Sequence, residues 1–334
     1  MRNPTVIFPE PRKVVIEDHP VPEPGEGEVL VKAERTLIST GTELTILTGE
    51  FPPGGAWSQS GRYPFKPGYS HVGRVASVGE GVDKSWVGRR VGSYSRHTLY
   101  AAVALPNLRV IDRDVDPDHV SFFTLAEIAM NGVRRGRVTW GEAVAVYGVG
   151  LLGQLTVEFC WLAGARPVIG IDLAAERLAR LPKGTGLYPI NADGNDIEEK
   201  VSSCTRDRMC DVVFEVTGNP ELIPQELSIL RPQGRFVVLS SPRGPSKFDF
   251  HDLCNAPSFT IIGAHNRSHP RVATLDSPWT QHRHCELFLD MLATRQVDME
   301  RLISHRVPCD DAPRMYEQLL QDRSKMMGVV LEWE

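Results

Sequence analysis

The run Gly148-Val149-Gly150-Leu151-Leu152-Gly153 constrains this chain more than any other feature. It follows the apolar stretch at 143–147 directly and opens residues 151–162, whose apolar positions recur with helical period. A G-x-G-x-x-G turn between a strand and a helix has one physical use. The first glycine allows the tight turn, the second lets a pyrophosphate approach the backbone, and the third lets helix and strand pack closely. The helix N-terminus then offers unpaired N–H groups and a partial positive charge to the phosphates. Asp172 lies 19 residues after Gly153, at the end of the next apolar stretch, 167–172, where a carboxylate accepts the ribose hydroxyls of an adenosine. A glycine turn that only eases packing has no need of that acid. The unit therefore predicts a dinucleotide site, and the negative charge of Asp172, which repels a 2′-phosphate, predicts NAD rather than NADP. Arg177, five residues on, is the one residue placed to soften that preference; its position suggests a solvated helix-face arginine.

The rest of the chain falls into two textures. Before residue 121, short valine-rich runs such as 28–33, 73–78 and 87–92 are broken by Gly and Pro, the pattern of an antiparallel, barrel-like β domain. After it, apolar runs at 143–147, 167–172, 210–215, 235–240 and 259–263 alternate with helix-like stretches, as in a parallel sheet covered on both faces. Strands at 303–307 and 328–331 and a helix at 312–321 return to the first texture. The fold class predicted is α/β, with a β-barrel-type domain at 1–122 and 297–334 and a doubly wound domain at 123–296. With 334 residues, a net charge of -5 and 24% charged residues, the chain has room for two domains and no basic surplus for a nucleic acid or an anionic membrane. No run of about 18 apolar residues and no signal peptide is visible, so a cytoplasmic address is expected. The six cysteines (Cys160, Cys204, Cys210, Cys254, Cys285, Cys309) form no C-x-x-C pair and read as free thiols.

Several further motifs accompany the glycine turn: Pro22-Glu23-Pro24-Gly25-Glu26-Gly27-Glu28-Val29, Gly41-Thr42-Glu43-Leu44, Pro67-Gly68-Tyr69-Ser70-His71-Val72-Gly73, Val78-Gly79-Glu80-Gly81 and Glu215-Val216-Thr217-Gly218. Over essentially its whole length the chain resembles the medium-chain dehydrogenase/reductase family, the alcohol and polyol dehydrogenases. That resemblance implies a GroES-like catalytic domain beside a Rossmann domain, hydride chemistry on an alcohol, and Thr217 among the cofactor contacts. It also exposes a gap. Zinc-dependent members carry a cysteine where this chain has Thr40 and Gly-His-Glu where it has Gly68-Tyr69-Ser70, and no cysteine precedes Cys160 to hold a structural zinc. Threonine, tyrosine and serine are poor zinc ligands beside thiolate, imidazole or carboxylate, so no metal is expected.

Without zinc, side chains must orient the carbinol and stabilise the developing alkoxide. The resemblance places Thr42 as the proton-relay hydroxyl, Tyr69 in the vacated ligand position and Glu43 behind them. Tyr69 either serves the substrate oxygen or fills the volume of the missing metal. Glu127 is either a buried general base with a raised pKa or a structural acceptor. His71 reads as a core histidine and His97 as structural or rim-lining. Thr40, His97, His265, Asn266, Arg267 and Trp279 are the candidate substrate contacts. The polar segment from His265 to His269 and on to His284 leaves the last parallel strand at the edge where such sheets bind ligands, and it suits a polyol, cyclitol or sugar. The clusters His265/His269 and His282–Cys285 are spaced too irregularly for a metal site.

Other features, among them Asn131-Gly132-Val133-Arg134-Arg135 and Arg323-Ser324-Lys325, are similar to the branch holding bacteriochlorophyllide hydroxyethyl dehydrogenases, whose substrate is large and flat. An NADPH-dependent quinone or enoyl reductase and a non-catalytic NAD-binding protein are the remaining readings. By the same resemblance, the strand near 259–263 pairs with its twin, giving a homodimer or homotetramer.

Overall fold

The computed structural model describes residues 2–194 and 196–333. They divide into two compact units, one running up to Thr124 and resuming at Cys285, the other Leu125–His284. The second division falls about a helix length before the predicted 296, inside a helix.

The first unit opens with β1 (Asn3–Ile7) and β2 (Val15–His19), an antiparallel pair. There follow β3 (Glu28–Leu37), the short helices α1 (Thr42–Thr48) and α2 (Ala56–Ser60), then β4 (His71–Val78), β5 (Arg90–Ser93), β6 (Tyr100–Ala104) and β7 (Arg109–Val110). Helix α3 (Pro117–Val120) leads into α4 (Phe123–Arg135), which enters the second unit. There β8 (Val144–Tyr147), α5 (Leu151–Leu162), β9 (Val168–Asp172), α6 (Ala175–Leu178), β10 (Leu187–Asn191), α7 (Ile197–Thr205), β11 (Cys210–Glu215), α8 (Ile223–Ser228), β12 (Leu230–Val238) and β13 (Thr260–Gly263) alternate. Helix α9 (Gln281–Ala293) crosses back, and β14 (Ile303–Pro308), α10 (Ala312–Gln321) and β15 (Gly328–Glu332) complete the first unit.

In the first unit seven strands follow the path β14-β15-β3-β4-β5-β7, with β6 on β3. All pairings are antiparallel except β14 with β15. The run at 87–92 was expected to be one strand; only its end is, because Gly88 turns the chain at φ +85°. Helix α10 shows why a polar stretch still folds: Ala312, Met315, Tyr316 and Leu319 recur at helical spacing, are buried, and join the core of Val6, Phe8, Ile38 and Leu47. The Pro at its first turn removes only a donor that would go unused.

The second unit is a six-stranded parallel sheet in the order β10-β9-β8-β11-β12-β13. Strands β8, β9 and β11 are near-continuous apolar runs, buried except at the half-buried Asp172 and Asp211, as strands covered on both faces must be. The chain order steps outward from β8 to β9 and β10, then restarts on the other side at β11. The crevice between the carboxyl ends of β8 and β11 is thus the switch point where doubly wound sheets bind ligands. Strand β10, helix α7 and helix α8 were not anticipated; β10 alternates exposed Tyr188 and Pro189 with buried Ile190, so it lacks the apolar run that marks the central strands. Cys160, Cys210 and Cys285 are buried and Cys204, Cys254 and Cys309 half-buried, all free thiols. No described helix is long and apolar enough to cross a membrane.

Candidate functional site

The glycine turn follows β8 at the switch point. Gly148 adopts φ +86°, which only glycine tolerates readily, and a Cβ there would stand 3.0 Å from Thr217 N and the Val216 carbonyl. The turns after β8 and β11 therefore meet at this residue. A Cβ on Gly153 would stand 1.9 Å from Gly148 O, so helix α5 can lie on its strand only with glycine there. Gly150 is different: nothing lies within 4 Å of its Cβ position, and it caps α5 in extended conformation. The turn thus leaves open space at the N-terminus of a helix, the shape and polarity that a pyrophosphate requires. Val149, Leu151 and Leu152 supply backbone to the same turn.

Asp172 ends β9 as expected. Its Oδ2 accepts from Val149 N at 2.8 Å and its Oδ1 from Ala174 N at 2.9 Å, which aims the carboxylate at the turn. Arg177 is not the solvated arginine predicted. Its side chain is 20% exposed and its Nη1 lies 3.6 Å from Asp172 Oδ2, because Gln154 of α5 donates to both Val149 O and Arg177 O and draws the start of α6 against the turn. The charge of Asp172 is therefore partly balanced, and repulsion of a 2′-phosphate is weaker than the sequence implies.

Glu215, missed from sequence as a shaping group, is wholly buried at the end of β11. Its Oε1 accepts from Thr217 N, Thr217 Oγ1 and Gly218 N at 2.7–2.8 Å, and its Oε2 from Ser240 Oγ. This carboxylate folds the loop that faces Gly148 and ties down the Thr217 hydroxyl. Beside it, Glu226 is equally buried, with the Thr217 hydroxyl as its polar neighbour. Burial and the neighbouring Glu215 push it up to about 9, so it keeps its proton at neutral pH. Glu127, in α4 of this unit, is wholly buried. Along the segment after β13, His265 and Arg267 are exposed, whereas Asn266 and Trp279 are half-buried.

In the first unit Thr42 opens α1, and the strand end before it brings Ser39 to Tyr69. The phenol of Tyr69 shares a hydrogen bond with Ser39 Oγ and another with the Thr42 hydroxyl. Burial, together with the negative charge of Glu43, pushes Tyr69 up to about 12 against the lowering effect of these bonds. The phenol is thus a proton donor at neutral pH, and the role of base that its position also allowed is unfavourable. Thr40 is half-buried beside this group in sequence. Glu43 does not hydrogen-bond Thr42 or Tyr69. It is 1% exposed, and its oxygens accept from Ser39 N at 3.1 Å, from His97 Nε2 at 3.2 Å and from the Tyr316 hydroxyl. It acts through Ser39, whose backbone it holds.

His97 is corrected. Neither a rim residue nor a substrate contact, it is wholly buried, with Nδ1 2.8 Å from Thr36 Oγ1 and Nε2 on Glu43. Trp333 Nε1 donates to the same Thr36 oxygen at 2.9 Å. His71 is the core histidine expected: fully buried, bound to Thr98 O and lowered to about 4 by desolvation. Ser39 and Tyr316 were missed because a serine in an apolar strand end and a tyrosine on an amphipathic helix carry no local signal.

Zinc does not fit these donors. Ser70 is buried with its hydroxyl unpartnered among the described residues, Tyr69 is a phenol raised to about 12, Glu43 is already spent on three donors, and both nearby imidazoles are engaged. Nor do three or more His, Cys, Asp or Glu side chains gather in a metal-holding group among the described residues.

With this geometry in place, the comparisons with known proteins are decisive for class. Residues 25–106 match the alcohol dehydrogenase GroES-like domain, and residues 152–278 match the zinc-binding dehydrogenase domain. The two matches together support a place among the alcohol-dehydrogenase-like medium-chain dehydrogenases. It is 26% identical to the L-threonine 3-dehydrogenase of Bacillus subtilis (strain 168), over 95% of this chain and 94% of that one. It is also 26% identical to the D-guloside 3-dehydrogenase of Escherichia coli (strain K12), over 79% and 77%. Among solved structures, an alcohol dehydrogenase from Escherichia coli CFT073 in complex with NADH superposes with a TM-score of 0.83 over 99% of each chain at 19% identity, a likeness of fold.

Proposed function

We propose that this chain is a zinc-independent, NAD-dependent dehydrogenase that interconverts a secondary alcohol of polyol, cyclitol or sugar type and its ketone. The observation that carries the reading is the set of hydroxyls around Tyr69, which holds one of the vacated ligand positions and whose phenol meets Ser39 Oγ and the Thr42 hydroxyl. NAD, when bound, exchanges the hydride. The residues that would hold it are Gly148–Gly153 for the pyrophosphate, Asp172 with Arg177 for the adenosine ribose, and Thr217 on the facing loop.

The chain's own part is proton handling. Thr42 and Tyr69 hydrogen-bond the substrate oxygen, Ser39 fixes the phenol, and Glu43 fixes Ser39. A phenol near 12 is a poor base and a ready acid, so carbonyl reduction is the direction it serves best near neutrality. Glu127 is the candidate base of the second unit, and Thr40, His265, Asn266, Arg267 and Trp279 remain the candidate substrate contacts. The relatives' names, one an amino-acid alcohol and one a sugar, support a small secondary alcohol over a flat macrocycle. Strand β13 pairs only with β12 and leaves Ile261 41% exposed, which supports a homodimer built on that edge.

The test is purified protein with NAD and a panel of polyols, sugars and secondary alcohols, followed by NADH formation, with the reverse reaction on the matching ketones. Oxidation of NADPH by quinones or enones with no alcohol turned over would replace this reading by the reductase one. No turnover of any kind would leave a binding protein.

A further inference from the structure

The carboxyl edge of β13 carries a second group of side chains. Arg135 Nε donates to Gly263 O at 2.7 Å, and Asn131 Nδ2 donates to Ser268 Oγ at 2.8 Å, so the last turn of α4 is pinned to the segment leaving β13. On that turn Arg134 Nε donates to His284 Nε2 at 3.0 Å. The acceptor nitrogen must hold a lone pair, so His284 carries its proton on Nδ1 and donates to His269 Nε2 at 2.9 Å. His269 then donates from Nδ1 to Asn266 O at 2.8 Å. This directed chain, Arg134 to His284 to His269 to backbone, keeps both imidazoles neutral and clamps Arg134. Trp279 stacks on His284, and the guanidinium carbons of Arg134 and Arg283 lie 3.2 and 3.9 Å from its ring centre.

Two guanidinium groups thus share one indole, and neither has a carboxylate partner among the described residues. Arg283 donates Nη1 to Pro278 O at 3.3 Å, and the terminal amino groups of Arg134 have no partner among the described residues. Arg134 and Arg283 are both exposed at the residue level, whereas Arg35 and Arg306 pair with Asp118, Arg90 with Glu34 and Arg235 with Glu142. Burial and Arg283 together draw Arg134 down to about 10, the mark of a cation held near another cation. The segment 264–284 adds Arg267 and Arg271 and contains a single acid, Asp276, in a chain of net charge -5.

We propose that Arg134 and Arg283, set by Trp279 and the His284–His269 chain, form a site for a phosphate-type oxyanion, the phosphate group of a small phosphorylated molecule. A planar fork with free terminal donors matches two phosphate oxygens, and the second guanidinium supplies the balancing charge. The site is distinct from the Gly148 turn: β13 is three strands from β8, about 14 Å across the sheet.

The experiment is calorimetric titration of the full chain with inorganic phosphate at constant ionic strength, with and without saturating NAD, and with acetate in a parallel arm. The expected result is saturable phosphate binding that NAD does not displace and that Arg283→Gln weakens by about tenfold or more. Arg134→Gln should do the same. Arg283 is exposed, so that variant tests the site even if Arg134→Gln fails to fold. Binding displaced by NAD, binding untouched by Arg283→Gln, acetate binding as tight as phosphate, or no saturable binding would each overturn the assignment. Failure of alcohol turnover in the preceding assay leaves these readouts unaffected.

Discussion

Around Gly148 the fold leaves things unspent: a helix N-terminus, a positive-φ turn and clear space at Gly150. Around Glu43 it spends almost everything, with Ser39 N, His97, Tyr316, Thr36 and Trp333 closed into one buried network. The first site is made of backbone and is general, so it suits a part common to many substrates. The second is made of side chains that satisfy one another, and in the proposed function Thr42, Tyr69 and the half-buried Thr40 at its margin are the ones offered to a reactant. Here burial, with the negative charge of Glu43 added to it, keeps the Tyr69 phenol a proton donor.

The largest effect should separate the two glycines of the turn. Gly153→Ala forces a Cβ into Gly148 O and should cost about 3 kcal/mol or more of stability while abolishing NAD binding. Gly150→Ala meets nothing, so denaturant unfolding should shift by less than about 1 kcal/mol while calorimetry shows NAD affinity falling about tenfold. Equal damage to folding in both would erase the distinction between packing and approach. In the other unit, Glu43→Ala strands His97, Tyr316 and Ser39 N and should cost about 3 kcal/mol by urea unfolding. Tyr69→Phe keeps the fold and should lower turnover by about a hundredfold with NAD affinity unchanged.

The pH dependence sharpens the same contrast. Tyr69 is protonated below about 12, so alcohol oxidation should keep rising with pH across the alkaline range while carbonyl reduction stays level near neutrality. The smallest effect belongs to Glu226. Its proton is retained in the folded state up to about 9 but lost from the unfolded chain above the usual carboxylate range. The folded state therefore binds more protons in that window, and the wild type loses stability as pH rises through it. Glu226→Gln should remove that loss, about 3 kcal/mol at pH 7 less the cost of burying the new amide, and almost nothing near pH 4.

The parallel sheet was legible because its central strands are apolar runs and its switch point carries glycines whose spacing has a steric meaning. Residues 151–162 and 312–321 were legible as helices for the same reason of period. What the residues could not reveal is set by contacts distant along the chain. Arg177 looked solvated until Gln154 drew it to Asp172; His97 read as structural or rim-lining until its partners proved to be Thr36 and Glu43, 61 and 54 positions away. Ser39 and Tyr316 have no local pattern at all, and the acid pair Glu215 and Glu226 is adjacent only in space. The gap at Thr40, Tyr69 and Ser70 was visible from sequence, but whether the replacements form a relay depended on the Ser39–Tyr69–Thr42 contacts.

The most direct test of the central claim combines metal content with turnover on one sample. Protein stripped with a strong chelator, assayed for zinc, and supplied with NAD and its best alcohol should contain substoichiometric metal and form NADH at the undiminished rate, with Tyr69→Phe about a hundredfold slower under the same conditions. Stoichiometric zinc in the purified protein, or activity that vanishes on stripping and returns with added zinc, would contradict it.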